Sequence, residues 1–315
     1  MRAAVVSRYG PPESVRVLDR PEPRPGKGEV VVRMRATAVT AGDARIRAGR
    51  FPPGFGVVAR LGFGIRGPRR DVLGAAVSGV VERVGPGVTG LQPGDAVCAM
   101  TGARFGCHAD LVVVPASRLV RRPAGVSDSD AAGVLFGGTT ALYFLRDKAR
   151  LSSGKRVLVN GASGAVGSNA VQLAAHAGAV VTAVTSGPNA DLVRQLGAAE
   201  VIDHTRTDVR ELGQRFDVVM DAVGTIPIAA GRAMLTDAGV LLLVVGGLGE
   251  FVRARGQVIA GSAPERVEDV EELLRLVAAG TLRVVVDSTY DLADIARAHA
   301  RVDTGHKVGN VIVRP

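Results

Sequence analysis

Residues 157–167 read Val157-Leu158-Val159-Asn160-Gly161-Ala162-Ser163-Gly164-Ala165-Val166-Gly167. The three leading apolar residues predict a short buried strand, and the small residues after them a tight turn. A helix follows, with Val166, Ala170, Leu173, Ala174 and Ala177 at three- and four-residue spacing along one face. Ala162, Gly164 and Gly167 occupy the positions of a G/A-x-G-x-x-G pattern. Small side chains there let backbone amides approach a pyrophosphate, which then rests on the positive end of the helix. Gly161, Ala162, Ser163, Gly164, Ala165, Val166 and Gly167 are the candidate dinucleotide cradle.

A glycine pattern alone carries little; its surroundings carry more. Downstream, Val180–Val184, Glu200–Ile202, Asp217–Met220 and Val240–Val245 read as short strands, with a helix over Ala190–Leu196. Upstream, Asp128–Phe136 and Thr139–Ala149 read as helices. Alternation of this length predicts an α/β doubly wound parallel sheet. In such a sheet the end of the second strand meets the adenosine ribose. Here that end is Val184-Thr185-Ser186, with no Asp or Glu to hold two ribose hydroxyls. Thr185, Ser186 and Asn189 offer hydrogen bonds to a 2′-phosphate instead, and His204 with Arg206 adds positive charge. The cofactor expected is NADPH, with NADH still open for a permissive site.

The first third is of another kind. Ala3–Val6, Val15–Leu18 and Glu29–Ala38 are short strand-like runs between Pro/Gly clusters, and 72–88 and 91–100 continue in that style. The tail returns to it, with strands at Val284–Val286 and Asn310–Val313 around a helix over Leu292–Val302. The expectation is a β-rich domain built from 1–118 and 285–315, with the α/β unit at 119–284 inserted between.

Composition narrows the class further. The formal charge is +9 and the pI about 10.4, but the 39 basic residues are 35 Arg and 4 Lys scattered along the chain. The densest stretch, 60–70, is broken by Gly, Pro and apolar residues, so no nucleic-acid partner is expected. Cys98 and Cys107 lie in no C-x-x-C or Cys/His ligand spacing. The first ten residues hold no signal-peptide core, and the longest apolar run, 239–245, is too short to span a bilayer. A cytoplasmic protein with no membrane partner is expected.

The segments LFGGTTAL (135–142), AGDARIRAG (41–49), TGARFGCHADL (101–111), LGAAEVID (196–203) and DTGHKVGNVIV (303–313), around the glycine turn, resemble the zinc-independent quinone oxidoreductase-like branch of the medium-chain dehydrogenase/reductase superfamily. The likeness runs over essentially the whole chain. It implies a Rossmann doubly wound parallel sheet inserted in a GroES-like β-rich domain, with the active site in the cleft between them. It further implies hydride transfer to an enone, enal or quinone, and a homodimer formed by edge pairing. Zinc-dependent relatives carry Cys and Gly-His-Glu ligands where this chain has Val39–Asp43 and Leu73–Ala76, so no metal is expected.

By the same resemblance, Thr40 and Asp43 match an N-x-x-D segment at the nicotinamide end, with Thr in place of Asn. Arg45 and Phe51 stand where tyrosines are common, and Arg45 becomes the candidate group for a carboxylate or enolate oxygen. Ala76 stands where an acid is usual, and Gly309-Asn310 where Gly-Lys is frequent. Thr139 is expected to cap the helix under the nicotinamide. Val223, after the fourth strand, and Gly246, Gly247 and Leu248, after the fifth, are expected to border the ring. His108 reads first as a structural histidine. The segment 51–70 is expected to cover the cleft entrance and set substrate choice. Two other readings stay open: an enone reductase with a single pathway substrate, and a non-catalytic NADPH-binding protein.

Overall fold

The structure is a computed structural model that describes all 315 residues. From the N-terminus come β1 (Arg2–Val6), β2 (Val15–Asp19), β3 (Glu29–Val39), α1 (Ala41–Ala48), α2 (Gly56–Phe63), β4 (Ala76–Val84), β5 (Ala96–Met100), β6 (Leu111–Pro115) and β7 (Val120–Arg121). The middle of the chain holds α3 (Asp128–Leu142), β8 (Arg156–Asn160), α4 (Ala165–His176), β9 (Val180–Thr185), α5 (Ala190–Gln195), β10 (Glu200–Asp203), β11 (Phe216–Asp221), α6 (Ile228–Ala233), β12 (Leu235–Leu243), α7 (Leu248–Arg253), β13 (Val258–Ala260) and α8 (Val267–Ala278). The end adds β14 (Val286–Asp291), α9 (Ile295–Asp303) and β15 (Asn310–Arg314).

Strands β8 to β13 form one six-stranded sheet in the order β10-β9-β8-β11-β12-β13, parallel throughout. Val157, Leu158 and Val159 are fully buried, as a strand covered by helices on both faces requires. The order reverses between β8 and β11, and loops leaving the carboxyl ends of those two strands border the crevice where such sheets bind ligands.

The second sheet has seven strands, running β14-β15-β3-β4-β5-β7 with β6 also paired to β3. β15 pairs antiparallel with β3, so the chain's two ends complete one sheet around the parallel one. β7 pairs with β5, so this sheet reaches Arg121, three residues past 118. α3 packs on β3 and β4 and also on α4 and α8, and one core runs from Ala76 and Cys98 through to Leu273. No helix is long and apolar enough to cross a membrane.

Four local expectations change. The two helices expected over 128–149 are one, because Gly137 lets α3 run close against α4, and Gly138 close against Leu273 of α8, instead of ending it; beyond Leu142 it widens into a π-helical stretch at Tyr143–Lys148. Ala177 lies exposed beyond the last turn of α4, outside the buried face it was assigned to. The strand expected at 284–286 begins at Val286, since Val285 instead takes the backbone N–H of Asn310 at 2.9 Å. Helix α8, unassigned from the sequence, buries Val270, Leu273 and Leu274 at three- and four-residue spacing.

Candidate cofactor and active site

The glycine turn is built by close contacts that side chains would forbid. Gly161 has φ +79°, and a Cβ on it would meet Val223 Cγ2 at 2.3 Å, so the loops after β8 and β11 touch. A Cβ on Gly167 would meet Gly161 O at 2.1 Å and Ala162 Cα at 2.7 Å, so α4 starts directly against the turn. Gly161 and Ala162 donate their N–H groups to Val184 O at 3.1 and 3.0 Å, fixing the turn to β9. No side chain caps the first turn of α4, whose N-cap is Gly164. Its leading amides are therefore left for an anion. A cradle of this shape fits a dinucleotide pyrophosphate.

Beside it, the structure brings four expected residues into one hydrogen-bonded group. Ser163 Oγ accepts from Thr185 Oγ1 at 2.9 Å and from Asn189 Nδ2 at 3.3 Å, and the same amide donates to Ser186 Oγ at 3.1 Å. His204 is drawn to this corner by its own N–H, which donates to Thr185 O at 3.1 Å. Sequence reasoning missed Asp203 here. A Cβ on Gly187 would lie 2.6 Å from its Oδ2, and hydrogen bonds from Thr205 hold the carboxyl below its usual range. A strand-end acid one strand further along was the available signal.

Beyond the carboxyl ends of β11 and β12 a cavity of about 700 Å³ joins Arg45 of α1 to Gly224, Gly246 and Gly247, and Phe51 and Asp303 also line it. Asp221, fully buried at the end of β11, shapes this wall. Its carboxylate accepts the N–H groups of Val223, Gly224 and Ile226 at 2.8–3.0 Å and the Asn160 amide at 2.9 Å. Asp303 is paired with Arg47 and Arg50, and Glu250 accepts the Gly247 N–H at 2.9 Å. Arg45 is exposed and is the one charged side chain of the wall with no hydrogen-bond partner. Val223 and Leu248 are nearly half exposed beside the cavity, and Leu248 donates its N–H to Pro53 O at 2.9 Å.

Thr40 and Asp43 do not line this cavity. Thr40 is the N-cap of α1, with Asp43 three residues on as its capping-box partner. Asp43 is buried; Oδ2 accepts Thr40 N–H at 2.8 Å and its hydroxyl at 2.6 Å, and Oδ1 accepts Gly74 N–H at 3.0 Å. These bonds aim α1, and with it Arg45. Thr139 caps nothing. It lies within α3, buried, and donates its hydroxyl to Leu135 O at 2.6 Å, while Ser127 is the N-cap. His108 is buried, with Nε2 3.2 Å from Ala38 O and its ring edge-to-face with His299 at 5.7 Å. Lys307 Nζ donates to Gly309 O behind the glycine turn, and burial pushes its ammonium down to about 8. A larger cavity, about 950 Å³ between Gly87–Leu91 and α8, shares no residue with either part of this site.

Two family models match the chain: an alcohol dehydrogenase GroES-like domain at 26–124 and a zinc-binding dehydrogenase at 196–313. The quinone oxidoreductase of Pseudomonas aeruginosa is 31% identical over 331 residues, covering 98% of this chain and 97% of that protein. The chain belongs to the quinone oxidoreductase-like branch of the medium-chain dehydrogenase/reductase superfamily. The structure of a quinone oxidoreductase from Coxiella burnetii superposes with a TM-score of 0.90 at 25% identity, over 100% of this chain and 99% of that one. A mycobacterial structure complexed with NADPH does so at 0.82 and 30%, over 100% of both. No three His, Cys, Asp or Glu side chains converge, and burial pushes the Cys98 and Cys107 thiols up to about 12.

Proposed function

We propose that this chain is an NADPH-dependent oxidoreductase that transfers hydride, without zinc, to a conjugated C=C or a quinone. The observation that carries the reading is the cavity itself: Arg45 is the wall's one unpartnered charge, sharing it with Gly224, Gly246 and Gly247 of the loops after β11 and β12. The turn at 161–167 would hold the pyrophosphate, and Ser163, Thr185, Ser186 and Asn189 with His204 the 2′-phosphate. When bound, the reduced nicotinamide supplies the hydride. Negative charge then develops on the conjugated oxygen of an enone, enal or quinone. The Arg45 guanidinium donates to that oxygen, and a donor of this kind contributes on the order of 10²–10³ in rate. Such substrates already carry the electron demand that a Lewis acid supplies to simple carbonyls. The wall offers no carboxylic acid or phenol free to protonate the product, so the proton comes from water. The relatives named quinone oxidoreductase and the neighbour complexed with NADPH support the same reading.

Arg45 and Phe51 in place of tyrosines favour one dedicated enone over a broad range of quinones. β13 is an outer strand of its sheet, and its edge suits pairing with a second copy as a homodimer.

The test is oxidation of NADPH, and separately NADH, by metal-stripped protein against quinones, enals and cyclic enones. Turnover of at least one acceptor, faster with NADPH, is expected. Activity that appears only when zinc is restored would overturn the metal-free reading. Cofactor binding with no turnover on any acceptor would favour a non-catalytic NADPH-binding protein.

A further inference from the structure

We propose that α2 and the segment after it form a docking surface for an anionic lipid bilayer, placed at the mouth of the cleft. Four of the five most exposed large apolar side chains of the molecule fall within nine residues: Val57 (75%), Val58 (68%), Leu61 (58%) and Ile65 (65%). The fifth, Val252 (61%), lies on α7, which α2 meets where Phe55 packs edge-to-face on Phe251 at 5.6 Å. Val57 and Leu61 stand one helical turn apart with Val58 beside them, so the apolar tips share one outward side. Single exposed apolar residues need no explanation; a contiguous cluster marks a contact surface.

The charge around the cluster says what covers it. Residues 51–70 contain four arginines and no Asp or Glu. Arg60, Arg66, Arg69 and Arg70 are all exposed, and none forms an ion pair. Apolar tips ringed by unpaired cations match an anionic membrane interface, where the tips enter the acyl boundary and the cations meet the headgroups. A symmetric contact with a second copy would set four arginines against four, with no acid from this segment between them. A nucleic acid would satisfy the arginines and leave the apolar tips in water. The absence of a spanning helix does not bear on the matter, since surface docking needs none.

The position gives the contact a use. Phe51, Pro52 and Pro53 line the 700 Å³ cavity and lead directly into α2. A docked molecule thus opens its cleft toward the bilayer, where lipophilic quinones and long-chain enones reside. That use rests on the reductase reading; the docking itself does not.

The test is co-sedimentation of the full chain with vesicles of phosphatidylcholine, alone or with a third replaced by phosphatidylglycerol. Binding to the anionic vesicles only, weakened by added salt, is expected. Val57→Asp with Leu61→Asp should reduce it at least tenfold, while the melting temperature stays unchanged. Lack of binding to anionic vesicles, or binding indifferent to the double substitution, would overturn the proposal. So would dissociation of a dimer by that substitution in sedimentation velocity, which would assign the surface to a second copy. Failure of the reductase reading would appear separately, as absent turnover with vesicle binding intact.

Discussion

Ser163 and Thr185 are joined by a side-chain hydrogen bond of 2.9 Å, which ties the first strand-to-helix turn of the parallel sheet to the end of its second strand. Asn189 donates to the same Ser163 hydroxyl oxygen and to Ser186. The corner presents hydroxyls and an amide able to donate to a 2′-phosphate. The strand end at Thr185-Ser186 carries no acid of its own, the nearest carboxylate being Asp203 beside Gly187, which accepts from Thr205. Ser186→Asp places a carboxylate there. The ratio of NADPH to NADH affinity, measured by fluorescence titration, should fall at least tenfold. An unchanged ratio would mean that the 2′ position is not read at this strand end.

The contact between Gly167 and Gly161 leaves no space for a methyl group. In Gly167→Ala the new Cβ would press on Gly161 O and Ala162 Cα, which are backbone atoms and cannot swing aside. The start of α4 must move off the turn, at a cost of about 1–3 kcal/mol in stability. NADPH affinity should drop more than tenfold. Gly249→Ala, with nothing within 4 Å of its Cβ, is the matched control and should change neither quantity.

Features set by local chemistry were readable in the sequence, and those set by distant packing were not. Val157–Val159 with the small residues after it needs only its own strand and helix to make a cradle. Thr185 and Ser186 follow from where a second strand ends. Thr139 misled because Gly137-Gly138-Thr139-Thr140 looks like a helix break. In the fold Gly137 lets α3 approach α4 instead, a Cβ on it falling 2.3 Å from Ala165 O, and Gly138 faces Leu273 of α8. Thr40 and Asp43 had the spacing of a capping box, but the bond from Gly74, 31 residues away, that fixes Asp43 in place is tertiary. Asp221 lies one residue past the strand expected at 217–220, and no local pattern marks it. Its role as anchor of the Val223–Ile226 loop depends on three backbone amides turning back onto it.

Asp43 positions α1 and does not reach the cavity, and its removal separates that role from chemistry. Asp43→Ala leaves the N–H groups of Thr40 and Gly74 without their acceptor inside the protein. The expected loss is about 2–4 kcal/mol, seen as a lower denaturant midpoint. Asp43→Asn keeps an acceptor oxygen and should recover part of that stability. A full loss of turnover with unchanged stability would instead make Asp43 a catalytic residue.

His299 makes the fold sensitive to acid. It is fully buried, neither ring nitrogen has a partner, and burial followed by His108 and Arg47 holds its pKa well below 6.5. Above about pH 6.5 the ring is neutral in both folded and unfolded chains, and the stability is complete. As pH falls below that value the unfolded chain takes up a proton that the folded one refuses. Stability then declines by as much as about 1.4 kcal/mol per pH unit. His299→Phe should flatten this part of the curve in thermal melts from pH 7 to pH 5. A slope unaffected by the substitution would assign the acid sensitivity to other groups.

Arg45 tests the chemistry most directly, because it carries the cavity's one unpartnered charge and no structural bond depends on it. If its guanidinium meets the oxygen that gains charge, Arg45→Leu removes an interaction stronger in the transition state than in the bound substrate. Turnover per enzyme should fall about 10²-fold, while NADPH affinity and melting temperature hold. Arg45→Lys restores a cation without the planar fork and should recover part of the rate. A rise in KM alone, with kcat intact, would show instead that Arg45 binds a distal anionic group of the substrate equally in both states. A series of enones with and without a remote carboxylate then separates the two roles: a transition-state donor slows all of them alike in Arg45→Leu, and a distal anchor penalises only the acids.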